Sequence, residues 1–172
     1  MGEPLGADEL SARLWRERRQ LDYLLFALET QLLHLKAGNW HRLGFTAAEL
    51  EKVIENLRFD SLARGVEASS LFSEWNEPNE QTLPAVVTVA PSGLWQELLE
   101  EHRRSMVSLL ACIDAATAAN RSLLVQGPGN AARMPESGTN ELADIALEAN
   151  IQRALTAVAS AGLPAVREFL GQ

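Results

Sequence analysis

Four leucines seven residues apart, Leu14, Leu21, Leu28 and Leu35, constrain this chain more than any other feature of it. A heptad spacing returns one side chain to the same helical stripe every two turns, the rhythm of helices that pack along one another. Leu25 and Leu32 fall four residues after Leu21 and Leu28 and widen the stripe. The spacing predicts a helix over 7–37, with Gly38 as its stop. A second apolar set, Trp15, Phe26 and Leu33, lies roughly 100° further round. Two stripes on one helix predict two helical neighbours.

The rest of the chain keeps to helical periods. Thr46-Ala47-Ala48-Glu49 reads as a capping box, with Phe45 placed to staple onto Leu50. The helix it opens presents Leu50, Val53, Ile54, Leu57, Ala68, Leu71 and Phe72, and is expected to end near Trp75. Pro78, Pro84 and Pro91 break the following stretch. Inside it, 85–90 (Ala-Val-Val-Thr-Val-Ala) is expected to form loop or a short buried turn, because a lone strand has nothing to pair with. A third helix over 94–126 carries Trp95, Leu98, Leu99, Met106, Leu109, Leu110, Ile113 and Leu124 on one side, and Gly127-Pro128-Gly129 ends it. The expected fold class is all-α: an antiparallel long-helix hairpin or bundle with coiled-coil character and a C-terminal amphipathic helix. The segments are a hairpin or bundle core over 1–126, a flexible linker over 127–140, and a C-terminal helical segment over 141–172.

Composition narrows the function classes. Fifteen Lys and Arg against 23 Asp and Glu leave a net charge of -8. That balance points away from nucleic acid and from anionic membrane surfaces, both of which need a basic footprint. No uninterrupted apolar run approaches a membrane span, and no basic-then-apolar leader opens the sequence, so a cytoplasmic location without membrane insertion is expected. A single cysteine, Cys112, excludes an internal disulfide and is expected to act as a small apolar helix residue.

Catalytic patterns do not emerge. The histidines His34, His41 and His102 are unpaired at helical spacings and join no Cys cluster, so neither metal nor cofactor is expected. Gly127-Pro128-Gly129-Asn130 lacks the Lys-Ser/Thr of a phosphate loop. His102-Arg103-Arg104 raises the thought of a phosphoacceptor histidine, but helical phase puts His102 in the apolar stripe with Met106 and Leu109, as a buried and satisfied side chain. Asn120 shares that stripe as a buried amide. Arg13, Arg16, Arg18 and Arg19 read as a solvated face with i,i+4 acidic partners.

The tail is the unusual part. Leu142, Ile145, Ala146 and Ala149 share one side of a helix over 141–161, while Leu147, Ile151, Ala154, Leu155 and Val158 share nearly the opposite side. After Gly162 and Pro164, a last turn carries Val166, Phe169 and Leu170. A helix with two apolar sides can dock one and leave the other for a partner, or bury both in a bundle.

Several of these pieces together resemble the flagellar export chaperone FlgN family. They are the leucine-heptad helix running into Lys36-Ala37-Gly38-Asn39, the run 98–104 (Leu-Leu-Glu-Glu-His-Arg-Arg), the run 119–124 (Ala-Asn-Arg-Ser-Leu-Leu), and the tail ending Glu168-Phe169-Leu170. The resemblance spans 7–126 and 141–170. It implies a cytoplasmic, non-enzymatic chaperone that binds terminal helical segments of the hook-associated (hook-filament junction) proteins and delivers them to the flagellar type III export apparatus. The family's client-binding region is its C-terminal amphipathic portion. By position that region falls on Leu147, Ile151, Leu155, Val158, Val166, Phe169 and Leu170, with Gly162-Leu163-Pro164 interrupting it. Two other readings stand beside this one. The first is a coiled-coil adaptor, a homodimer built through Trp15, Phe26 and Leu33. The second is a phosphotransfer domain centred on His102.

Overall fold

A computed structural model describes residues 5–74, 82–90, 93–129 and 141–172. The fold is all-α: α1 (Leu5–Lys36), a 3-10 turn (Trp40–Arg42), α2 (Leu43–Glu74), α3 (Leu83–Val89), α4 (Leu94–Gln126), α5 (Glu141–Ser160) and α6 (Pro164–Leu170). Most of the expected linker, from residue 130 to 140, lies outside the described residues, as does Trp75.

The chain divides into two compact units. The first holds residues up to Asp22, Glu55–Leu110 and Leu163–Gln172. The second holds Tyr23–Ile54 and Ala111–Gly162.

In the first unit α1 and α2 run antiparallel: Arg13 faces Glu67, and Glu17 meets Ser61 and Arg64. Its core includes Leu10, Leu14, Leu21, Leu57, Leu71, Leu99, Met106 and Leu110. The segment expected as loop or turn is instead the helix α3. The Thr82 hydroxyl accepts from the Ala85 amide as an N-cap, and Pro84 sits in the first turn, where its missing N–H costs nothing. Leu83 and Val86 are buried, and α3 packs on α6.

In the second unit Tyr23 reaches Glu49 and Gln31 reaches Thr46, again antiparallel. Gly38, at φ +77°, turns the chain out of α1 as its spacing predicts, with Asn39 N donating to His34 O. The capping box does not form. Helix α2 begins three residues before Thr46, whose hydroxyl donates to Gln31 Oε1 at 2.9 Å and lies 3.2 Å from Leu43 O. Phe45 is exposed instead of stapled. The 3-10 turn, with buried Trp40, hands the chain directly into α2 and leaves no N-cap position at Thr46.

The α1 seam also differs in composition. Leu25 and Leu32 are only half-buried, whereas Leu10, Glu17, Leu24 and Gln31, four residues before each heptad leucine, are fully buried. Two of those four are polar, and each has buried partners. Trp15, Phe26 and Leu33, expected against a second neighbour, are exposed. Helix α4 has the length and mean hydropathy of a membrane span. Alanines raise that mean without an uninterrupted apolar run, and the helix buries Leu99, His102, Met106, Leu110, Ile113 and Asn120 along one side.

Candidate functional site

Helix α5 is anchored at its middle. Arg153 grips Glu51 through two parallel bonds of 2.6 and 2.7 Å, which hold the Glu51 carboxyl below its ordinary range. Gly44 lets Asn150 lie flat against α2; a Cβ there would sit 3.2 Å from Asn150 Nδ2. From that anchor onward α5 turns Ile151, Ala154, Ala157 and Val158 into the second unit's core.

This reverses the expected roles of the two sides of the tail. Ile151 and Val158 are buried, and Leu147 and Leu155 are half-buried. Val166, Phe169 and Leu170 on α6 are buried in the first unit. The side placed free by the resemblance is therefore the docked one. The physical reason is the anchor: Arg153 and Asn150 fix the helix's rotation toward α2. The opposite side is open. Residues 141–146 are all exposed, with Leu142 at 81% and Ile145 at 65%.

The second unit carries further apolar surface. Tyr23 stacks on Phe26, with centroids 6.1 Å apart, and its hydroxyl donates to Glu49. Phe26 (61% exposed) and Phe45 (70%) wall a groove of about 120 Å³ between α1 and α2, floored by Ala27 and Thr30. Like the α5 face, this groove has a sequence signal, in Phe26, but its partner Phe45 is masked by the capping-box pattern.

His102 is fully buried, as its phase requires. Arg18 has only donors, and its Nη1 lies 3.1 Å from Nδ1, so that nitrogen holds the lone pair. Nε2–H then donates to Ser11 Oγ at 3.2 Å. Trp15 meets the ring edge-on at 5.0 Å, and Arg18 lies 4.2 Å over the Trp15 ring. Burial, then the Arg18 charge, push the imidazole down to about 4, with Glu101 opposing weakly. Neither ring nitrogen is offered to solvent, which leaves the phosphoacceptor reading without a nucleophile.

Other sequence candidates fall as follows. Asn120 is buried and donates to Leu28 O and Ala116 O while accepting from Gln31, as a register-fixing amide would. Cys112 is exposed, not packed, because it falls on the outer side of α4. Arg13 and Arg18 pair across helices, with Glu67 and Glu101, in place of i,i+4 partners. Among the described residues no group of three or more His, Cys, Asp or Glu is disposed to hold a metal ion. Compared with protein-family models, curated proteins and solved structures, the chain matches none.

Proposed function

We propose that this protein is a cytoplasmic export chaperone that holds a terminal helical segment of a hook-associated flagellar protein for delivery to the type III export apparatus. The observation that supports this most is the unpartnered start of α5. Leu142 and Ile145 stand in water on a helix whose other side is firmly docked. Exposed anchors at i and i+3 are the pattern by which one helix receives another. The apolar groove at Phe26 and Phe45 belongs to the same unit and extends the surface available to a client. The net charge of -8 keeps a chain with this much exposed apolar surface soluble through self-repulsion. A client segment that orders on binding loses conformational entropy, which moderates affinity and favours the release that export requires.

The test is titration of purified terminal segments of hook-associated proteins into the intact chain, followed by calorimetry. Binding is expected, and Leu142→Ser with Ile145→Ser is expected to weaken it about tenfold or more. Unchanged affinity in that variant would remove α5 from the site. Absence of any binding would remove the chaperone reading itself.

Self-association through α1 is a second reading, favoured by Phe26 and Leu33, which stand exposed seven residues apart on one face. A dimer in sedimentation that Phe26→Glu dissociates, with no client bound by either form, would select it.

A further inference from the structure

The first unit contains a cationic groove that the client reading does not use. It is an open trough of about 510 Å³ between α1 and α4. Trp15 and Leu109 form its apolar walls, and Ser105 and Ser108 keep its floor low. Three arginines edge it, Arg18, Arg19 and Arg104, against a single lining carboxylate, Asp22. In a chain with net charge -8 this is a local reversal of sign.

The arginines differ in how they are committed. Arg18 is fixed from behind by His102 and from the side by the Trp15 ring, and its approach to Glu101 is a loose 3.7 Å. A guanidinium held this way has already lost its rotamer freedom, so a carboxylate meeting it has little further ordering to impose. Arg104 lies 3.5 Å from Glu100, a carboxylate already taken by three bonds from Arg103. The Arg19 side chain makes no ion pair or hydrogen bond with any described residue.

The shape selects the kind of ligand. The α1 wall is built at i, i+3, i+4 and i+7, two turns of one stripe, and the α4 wall covers a similar length. A trough between two helices, low in the middle and apolar at its walls, receives a third helix by the same ridge-and-groove packing that builds bundles. A small anion would make no use of Trp15 and Leu109, the apolar side chains that line the trough. A second copy of the chain would bring another eight net negative charges toward this one, which opposes its approach.

We propose that this groove docks a short acidic amphipathic helix of another polypeptide, its apolar stripe between Trp15 and Leu109 and its flanking carboxylates on Arg18, Arg19 and Arg104. This surface is separate from the α5 face, and the proposal stands or falls independently of the export reading.

The experiment uses the full chain and a synthetic, fluorescently labelled helical peptide with a leucine stripe flanked by glutamates. Binding is followed by anisotropy at low and at physiological salt. Saturable binding that weakens with salt is expected, together with about a tenfold loss in the exposed double variant Arg19→Glu, Arg104→Glu. The same peptide with lysines in place of glutamates is expected to bind that variant better than it binds the original chain. The urea midpoint of the variant checks that the fold is intact. Equal affinity of the two peptides for the original chain would overturn the proposal, as would unchanged affinity in the variant or no binding up to millimolar peptide. So would a dimer of the original chain that the same double variant dissociates, since the groove would then belong to a second copy.

Discussion

Arg18 donates to His102 Nδ1 at 3.1 Å, and this bond requires His102 to be neutral. A protonated imidazole there would place two positive groups in hydrogen-bond contact inside the core. The folded chain therefore binds the His102 proton less tightly than the unfolded chain does. Its contribution to stability is present above pH 6.5 and is lost as pH falls toward 4. A displacement of that size corresponds to about 3 kcal/mol. Urea midpoints of the original chain are expected to fall across this window, and those of His102→Gln to fall less. Parallel profiles would show that His102 does not carry the dependence.

Glu17 titrates in the opposite sense. Burial raises its carboxyl above the ordinary range more than Arg64 lowers it, so the folded chain holds the Glu17 proton more tightly than the unfolded chain does. That contribution is fully present below the unfolded value and is lost as pH rises through the folded one. Removing only one partner leaves a buried charge. Glu17→Leu or Arg64→Met alone is expected to cost about 3–5 kcal/mol by denaturant unfolding. The double variant is expected to recover most of that loss, because two apolar side chains of similar volume replace the pair.

The second unit's polar core has a different character, amide with amide. Asn120 bonds to α1 through both Gln31 and Leu28 O. Asn120→Leu is expected to cost about 1–3 kcal/mol, since it strands the Gln31 amide and the Leu28 carbonyl. A thermal melt of the variant checks this.

The two sides of α5 are expected to separate stability from binding. Ile151→Ala removes buried volume and should cost about 2–4 kcal/mol. Ile145→Ser alters an exposed side chain and should stay within about 0.5 kcal/mol. Equal losses in both variants would mean that the first turns of α5 are also packed in solution.

Much of the architecture was legible in the residues. The heptad leucines, Gly38 and the α4 stripe predict the long helices, and phase alone buries His102 and Asn120. The misreadings share one physical origin, the choice between alternatives that only tertiary contacts decide. Thr46 can cap a helix or bond Gln31, and the chain takes the second because the 3-10 turn starts α2 earlier. Either side of α5 is apolar enough to dock, and Arg153 with Asn150 decides which one does. Glu17 and Gln31 recur in register with Leu10 and Leu24, so the polar seam positions were visible, but their partners Arg64 and Asn120 lie too far along the sequence to be paired by spacing. The cationic groove was hidden for the same reason. Arg18, Arg19 and Arg104 meet only once α1 and α4 lie side by side.

Helix α6 covers the Glu17–Arg64 pair. Arg64 lies 4.0 Å from the Phe169 ring centroid, and its Nη2 reaches Ala165 O at 3.5 Å, while Glu17 Oε2 and Arg64 Nε have no hydrogen-bond partner among the described residues. Lifting α6 would expose Val166, Phe169 and Leu170, which opposes the motion, but it would also admit water to two starved polar atoms, which favours it. The helix is thus held less tightly than its greasy footprint alone would suggest.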